Sequence, residues 1–124
     1  MLLPLQHPFT AIISGPTGSG KTVFTLNFIK HSRLLVEPEP EDIVWCYGIY
    51  QHAFDGVPQN VKFVQGLPDM DAFTGERRTL VIIDDLMHEA NEGVSQIFTK
   101  GSHHKNLSVL FLTQNLFFNS KHAR

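Results

Sequence analysis

A chain of 124 residues with 42% hydrophobic content has the size and composition of one domain with a buried core. Its formal net charge of −2 excludes a generally basic surface, so contact with DNA would need local patches or an oligomer. Residues 1–8 lack the basic and apolar regions of a signal peptide, and no run approaches the ~20 apolar residues of a membrane span, so we expect an intracellular, soluble protein with no membrane contact.

The first predicted elements are a strand, a helix and a connector. Residues 9–14 form an apolar strand, with the two apolar faces of a central strand in a parallel sheet. A helix is predicted over residues 22–31, and the segment 37–41, which alternates glutamate and proline, is predicted to be a connector. The helix has a wide apolar face for packing on a sheet, formed by Val23, Phe24, Leu26, Phe28 and Ile29.

Four further strands are predicted, at residues 43–47, 61–64, 79–83 and 107–112. Residues 51–60 are predicted to be irregular, residues 66–69 to form a turn, and residues 89–100 to form a helix. Strands that alternate with helices indicate an α/β fold with a parallel sheet, and we expect one domain over residues 1–124 without internal repeats.

The strand at 43–47 carries the single cysteine and several aromatic residues. Cys46 lies in an apolar run, which predicts a buried thiol. The aromatic side chains Trp45, Tyr47, Tyr50 and Phe54 fit either an aromatic-rich strand or a base-stacking group, and the strand is favoured.

The segment 15–22 carries most of the chemical information in the chain. It matches the phosphate-binding pattern G-x-x-x-x-G-K-[ST] at every fixed position and lies between a strand and a helix. Its residues are Gly15, Pro16, Thr17, Gly18, Ser19, Gly20, Lys21 and Thr22. The glycines let backbone N–H groups surround phosphate oxygens, Lys21 can reach the β- and γ-phosphates, and the Thr22 hydroxyl can ligate Mg²⁺. A glycine-rich turn without a nucleotide is the alternative, and the matching flanks disfavour it.

Two acidic residues follow the buried strand at 79–83. Asp84 would lie at the carboxyl end of that strand, where open α/β sheets bind ligands, and could hold Mg²⁺ opposite Thr22 or have only a structural role. Asp85 occupies the place where many ATPases carry a glutamate that polarises the attacking water. Its side chain is one methylene shorter, so Glu89 is an alternative base, although the helix dipole also accounts for a glutamate at that helix start.

Polar residues also precede and follow the last predicted strand. Gln114 would face the γ-phosphate and its attacking water if this strand lies between those that end at Ser14 and Asp84. The alternative is a polar strand end that pairs with a loop. The segment 103–105, His-His-Lys, has poor spacing for a zinc site and fits a solvated loop, or a contact with a neighbour's nucleotide or a DNA phosphate.

These motifs together resemble those of the HerA/FtsK group of P-loop ATPases. They are most similar to the poxvirus-type genome-packaging ATPases of large DNA viruses and of Polinton (Maverick) transposons. The resemblance covers about residues 8–119. The phosphate loop is shared by many NTPases, and it is the segment 97–108 with the Thr-Gln-Asn at 113–115 that is especially similar to this family. The resemblance implies a RecA-like P-loop NTPase fold, which is a three-layer α/β sandwich with a mainly parallel sheet.

The resemblance also implies a function and a set of roles. ATP and Mg²⁺ would be bound by residues 15–22, with Thr22 and Asp84 at the metal, and Lys21, Asp85 and Gln114 would be catalytic. The chain would form a homo-oligomeric ring that drives double-stranded DNA into a capsid, with capsid proteins as further partners, in the host cytoplasm or nucleus where virions assemble.

The chain departs from that family in two ways. Asp85 replaces the glutamate of the bacterial DNA translocases, and the chain stops at Arg124, where such domains continue to a further strand. We therefore expect a fragment whose sheet lacks a partner strand beside the strand at 9–14. Two alternatives are a nucleoside or small-molecule kinase, which would need a lid with several arginines, and a non-hydrolysing nucleotide switch or transposon remnant. The absence of an Asn-Lys-x-Asp motif favours ATP over GTP.

Overall fold

The computed structural model describes residues 4–16, 18, 20–57, 60–86 and 106–114. Predictions that concern Thr17, Ser19, the segment 87–105 and the segment 115–124 lie outside the described residues. Among these are the helix at 89–100 with the alternative base Glu89, and the His-His-Lys segment.

Within the described residues, five strands form one parallel sheet in the order β2-β7-β6-β4-β5. Their bounds are β2 Thr10–Ser14, β4 Asp42–Tyr47, β5 Val61–Gln65, β6 Thr79–Asp84 and β7 Leu107–Thr113. The predicted α/β class with a parallel sheet is confirmed. Because every pairing is parallel, the carboxyl ends of all five strands lie at one edge of the sheet.

A second, two-stranded sheet was not predicted from the sequence. It pairs β1 (Leu5–Gln6) with β3 (Val36–Glu37), so the predicted connector at 37–41 is wrong for Glu37. The amide of His7 extends this sheet by donating to the carbonyl of Glu37 at 2.9 Å. The His7 ring bonds the Ser108 hydroxyl and the Asn106 side chain, which ties this segment to the start of β7.

The two α-helices that the structure describes are short and lie between β2 and β3 along the chain. They are α1 (Lys21–Lys30) and α2 (Ser32–Leu35), and two 3₁₀ turns cover His52–Gly56 and Met70–Ala72. The first of these turns lies in the segment predicted to be irregular. None of the helices among the described residues is both long and apolar enough to cross a bilayer.

The sheet has a hydrophobic core on each face, as alternation along buried strands requires. On one face Phe28 and Ile29 of α1 pack against Trp45, Ile82 and Leu110. The core of the opposite face consists of Cys46, Val81, Ile83, Leu86, Leu107, Val109 and Phe111. Both layers bury β6 and β7 completely, so these strands hold the sheet together.

Two predictions about burial are wrong. The strand at 9–14 was expected to be buried on both faces, but β2 is the last strand of the described sheet and Ile12 is 43% exposed. In α1, Val23 and Phe24 were expected to face the sheet, but they are 62% and 55% exposed. These two residues lie in the first turn of α1, at the carboxyl edge of the sheet, where none of the described strands covers them.

Burial of Cys46 predicts an unreactive thiol. Burial raises its pKa from 9.0 to about 12, so at pH 8 the folded protein should hold about 1000-fold less thiolate than the unfolded chain. Alkylation by iodoacetamide, followed by mass spectrometry, should therefore be negligible in the native protein and complete in guanidinium chloride. Rapid native labelling would contradict the buried position of Cys46.

Candidate functional site

A cleft of about 780 Å³ opens at the carboxyl edge of the sheet. Its walls come from four places in the chain: the loop before α1, the loop after β4, and the ends of β6 and β7. The lining residues are Pro16, Gly18, Gly20, Lys21, Thr22, Val23, Gly48, Ile49, Gln51, Asp84, Asp85, Leu86 and Gln114. A cleft at this edge is where parallel α/β sheets bind their ligands.

The loop from β2 to α1 depends on two glycines with positive φ. Gly18 has a φ of +86° and Gly20 a φ of +93°, which L side chains rarely adopt. A Cβ at either position would meet no atom within 4 Å, so backbone conformation, and not crowding within the protein, requires glycine here. Gly20 is also the N-cap of α1 and has no side chain to cap the helix. The N-terminus of α1 lines the cleft, and the helix dipole favours an anion there.

Lys21 joins the ends of β2 and β7. Its ammonium group donates to the carbonyl of Gly15 and, at 3.3 Å, to the carbonyl of Thr113. The same Thr113 carbonyl accepts from the amide of Gly15 at 3.0 Å. The main chain of Thr113 therefore holds both the loop and its lysine. Sequence reasoning could not find this role, because a backbone carbonyl acts without regard to the side chain of its residue.

Asp84 is a buried carboxylate, only 8% exposed, at the end of β6. Burial raises its pKa, while a hydrogen bond from the Trp45 indole opposes that rise; nearby Asp85 raises the pKa further and Lys21 lowers it. The indole Nε1 lies 3.1 Å from Oδ2 of Asp84. Desolvation of a charge without a full counter-ion is costly, so the free site favours a cation beside Asp84.

Asp85 lines the same cleft but is exposed and has a φ of 58°. Its amide donates to the carbonyl of Leu112 at 2.8 Å, which continues the pairing of β6 with β7 by one residue. Aspartate is among the few residues that tolerate a left-handed backbone, because its short side chain bonds locally. This backbone constraint gives a conformational reason for a short polar residue at position 85.

Thr22 lies in the first turn of α1, beside the loop that follows β4. Its hydroxyl donates to Oε1 of Gln51 at 3.4 Å, and both residues line the cleft. Sequence reasoning missed Gln51, which lies in the segment predicted to be irregular. Only the placement of β4 beside β6 brings this glutamine to the site.

Gln114 follows β7 and is exposed in the cleft. The condition for its predicted position, that its strand lies between those ending at Ser14 and Asp84, is confirmed by the order β2-β7-β6. Lys21, Thr22, Asp84 and Gln114 thus line one cleft although they are far apart in sequence.

The Thr22 hydroxyl and the Asp84 carboxylate in the cleft are oxygen groups of the kind that can ligate Mg²⁺. No cluster of three or more histidine, cysteine, aspartate or glutamate side chains is placed to hold a metal in the part of the chain that the structure describes. Magnesium is commonly held by one or two protein oxygens together with substrate phosphates. A hydroxyl from Thr22 and a carboxylate from Asp84 fit that pattern.

Comparisons with known proteins identify no relative. No protein-family model, curated protein or solved structure matches the chain. A function is therefore argued from the cleft and the motifs that line it.

Because the carboxylate charge of Asp84 is buried, we expect its removal to raise the thermal stability of the folded protein. Since the pKa of Asp84 is raised on folding, its contribution to stability is present at low pH and is lost as the pH rises through the folded pKa. Asp84→Asn, which keeps an oxygen for the Trp45 indole, should raise the Tm at pH 7 by about 2–5 °C. The exposed Asp71→Asn is the matched control. Thermal unfolding at pH 7 and pH 4 should show the gain shrinking at pH 4; a lower Tm at pH 7 would contradict the assignment.

Proposed function

We propose that this chain binds Mg²⁺-ATP and hydrolyses it, as the nucleotide-binding domain of a motor that packages double-stranded DNA. The observation that carries the proposal is the meeting of Lys21, Thr22, Asp84 and Gln114 in one cleft. We also propose that the chain has the three-layer RecA-like P-loop fold, and the described strand order supports this proposal.

Phosphate binding is supported by the donors at the start of α1. The amides that follow Gly20 have no side-chain cap, and the ammonium of Lys21 is held beside them by two carbonyls. Neutral carbonyls bind an ammonium group less strongly than phosphate oxygens do, because the phosphate carries a full negative charge. We therefore expect Lys21 to exchange these carbonyls for the β- and γ-phosphates.

Thr22 and Asp84 would hold the magnesium ion. When bound, Mg²⁺ would offset the negative charge of the phosphates and the transferred group. Asp84 has the right surroundings for this role, because its burial makes an unpaired carboxylate unfavourable.

Water activation would fall to Asp85 and Gln114. Asp84 and Asp85 are the two carboxylates that line the cleft among the described residues, and Asp84 is held by Trp45. Asp85 is therefore the general base that the described residues offer. Gln114 would orient the attacking water through its amide; its position after β7, between the strands that end at Ser14 and Asp84, supports this role.

None of the arginines among the described residues lines this cleft. Arg77 pairs with Asp42 at 2.7 Å, Arg78 with Glu41 at 3.8 Å, and Arg33 with Glu39 at 3.5 Å. Arg77 and Arg78 directly precede β6, at the amino edge of the sheet. This arrangement disfavours a kinase, whose lid needs arginines over the phosphates. It favours a site that a cation from a neighbouring subunit completes.

The DNA-packaging role rests on the resemblance described above. The phosphate loop alone occurs in many unrelated NTPases. The assignment to DNA packaging therefore depends on the Thr-Gln-Asn motif at residues 113–115 and on the His-His-Lys segment at residues 103–105 that precedes its strand. A non-hydrolysing nucleotide switch is the competing function, favoured by the short reach of Asp85. The two functions differ in turnover and not in nucleotide affinity.

Loss of the loop lysine should weaken nucleotide binding and remove turnover. We expect Lys21→Ala to weaken ATP affinity at least about 10-fold and to remove turnover, because one charge-assisted contact to the phosphates is lost. Calorimetric titration with ATP and Mg²⁺ measures the affinity. The exposed Lys62→Ala on β5 is the control and should bind as the unmodified chain does. Equal affinities for the two variants would refute the phosphate site.

Loss of Gln114 should separate binding from turnover. We expect Gln114→Ala to keep its ATP affinity within about 2-fold and to lose at least about 100-fold in turnover, since it removes a group that acts on the transition state. Phosphate release is measured on the full chain, with and without double-stranded DNA. Gln6→Ala, exposed on β1, is the control.

The same assay decides between the candidate functions. Stimulation of hydrolysis by DNA supports the motor. Hydrolysis that DNA does not change counts against it. Tight ATP binding without hydrolysis favours the switch, and phosphoryl transfer to a nucleoside would revive the kinase.

A further inference from the structure

Both predicted magnesium ligands are hydrogen-bonded to one short stretch of chain, β4 and the loop that follows it. Trp45 contacts Asp84, and Gln51 contacts Thr22. We propose that Trp45 and Gln51 are positioning residues that orient these two ligands toward the cation. The inference rests on the proposed Mg²⁺-nucleotide site and adds two residues to it.

Trp45 is placed to fix the Asp84 carboxylate. Its side chain is fully buried, and its ring lies 5.0 Å from that of Phe54 and 5.8 Å from that of Phe63, so the indole has little freedom. In the pairing of β4 with β6, Trp45 lies opposite Ile82, two residues before Asp84 on the same face. An indole donates one hydrogen bond, here to Oδ2 of Asp84, so it sets the plane of the carboxylate and leaves Oδ1 to bind the cation.

Gln51 is placed to orient the Thr22 hydroxyl. A hydroxyl that ligates a cation must direct its hydrogen away from that cation, because only the oxygen lone pairs bind the metal. The Thr22 hydroxyl donates its hydrogen to Oε1 of Gln51. The lone pairs of Thr22 are then available to the cleft that both side chains line.

The two contacts are complementary in polarity. The carboxylate accepts a hydrogen bond from a donor, and the hydroxyl donates to an acceptor, so each ligand keeps an oxygen for the metal. A single stretch, residues 45–51, supplies both partners. Groups of this kind commonly change metal affinity 10- to 100-fold when they are removed.

The test compares nucleotide affinity in excess Mg²⁺ with affinity in EDTA, on the full chain. For the unmodified protein we expect ADP to bind more tightly with Mg²⁺. Gln51→Leu and Trp45→Phe should each reduce this gain about 10-fold while leaving the affinity in EDTA within about 2-fold. Gln51→Glu, which keeps an acceptor oxygen, should retain the gain.

Matched controls separate positioning from packing. Gln6→Leu changes an exposed glutamine on β1 that does not line the cleft, and Leu107→Ala weakens the core on the face of the sheet opposite to Trp45, at the amino end of β7. Both should keep the full Mg²⁺ gain. If Trp45→Phe fails to fold, the exposed Gln51 still provides the test.

A spectroscopic readout checks the Trp45 contact directly. Trp45 is the only tryptophan in the chain, so its emission reports on the indole at Asp84. Adding Mg²⁺ to the ADP complex should shift that emission in the unmodified protein and not in Asp84→Asn.

The outcomes distinguish the two levels of the inference. If the unmodified chain binds no nucleotide, or binds it without regard to Mg²⁺, the proposed metal-nucleotide site is wrong and the positioning roles fail with it. If that chain shows the Mg²⁺ gain and Gln51→Leu and Trp45→Phe show it undiminished, the positioning roles alone are overturned.

Discussion

The insertion of β7 between β2 and β6 determines what the cleft contains. Parallel pairing on both sides of β7 places Gly15, Asp84 and Gln114 at one edge of the sheet. The carbonyl of Thr113, at the end of this strand, then binds both the amide of Gly15 and the ammonium of Lys21. If β7 did not pair with β2, the lysine would lose this anchor and Gln114 would be separated from the loop before α1. The strand order β2-β7-β6 is therefore the feature of the fold that brings the residues of the site together.

The site also carries a cost that the rest of the fold must offset. Burial of Asp84 raises its pKa, and its one described hydrogen bond, from Trp45, opposes that rise only in part. The two cores on either side of β6 supply the compensating stability, because Val81, Ile82 and Ile83 are fully buried beside this carboxylate. Such a balance is typical of functional sites, where local stability is given up for a charge that a ligand will neutralise.

The sequence was sufficient for the parts of the site that depend on local chemistry. Glycines, a lysine and a threonine at fixed spacing define the loop, and apolar runs ending in Asp84 and Gln114 define two strand ends. The features that the sequence does not predict depend on contacts between distant segments of the chain. Gln51 and the carbonyl of Thr113 join the site only through strand order, and the two-stranded sheet of β1 and β3 is too short to leave a pattern. The exposure of Val23 and Phe24 also follows from where the sheet ends, which helical periodicity does not encode.

The distribution of charge bears on how the site would be completed. Lys21 is the one cation that lines the cleft among the described residues, whereas Arg77 and Arg78 are paired with Asp42 and Glu41 at the other edge of the sheet. A triphosphate carries more negative charge than one lysine and one Mg²⁺ neutralise, and phosphoryl transfer concentrates that charge on the γ-phosphate. The rim of the cleft beside Thr22 is open, with Ile49 82% exposed. If the chain binds a triphosphate as proposed, the charge requires a further cation, and the exposed rim at Ile49 offers room for one from a neighbouring chain.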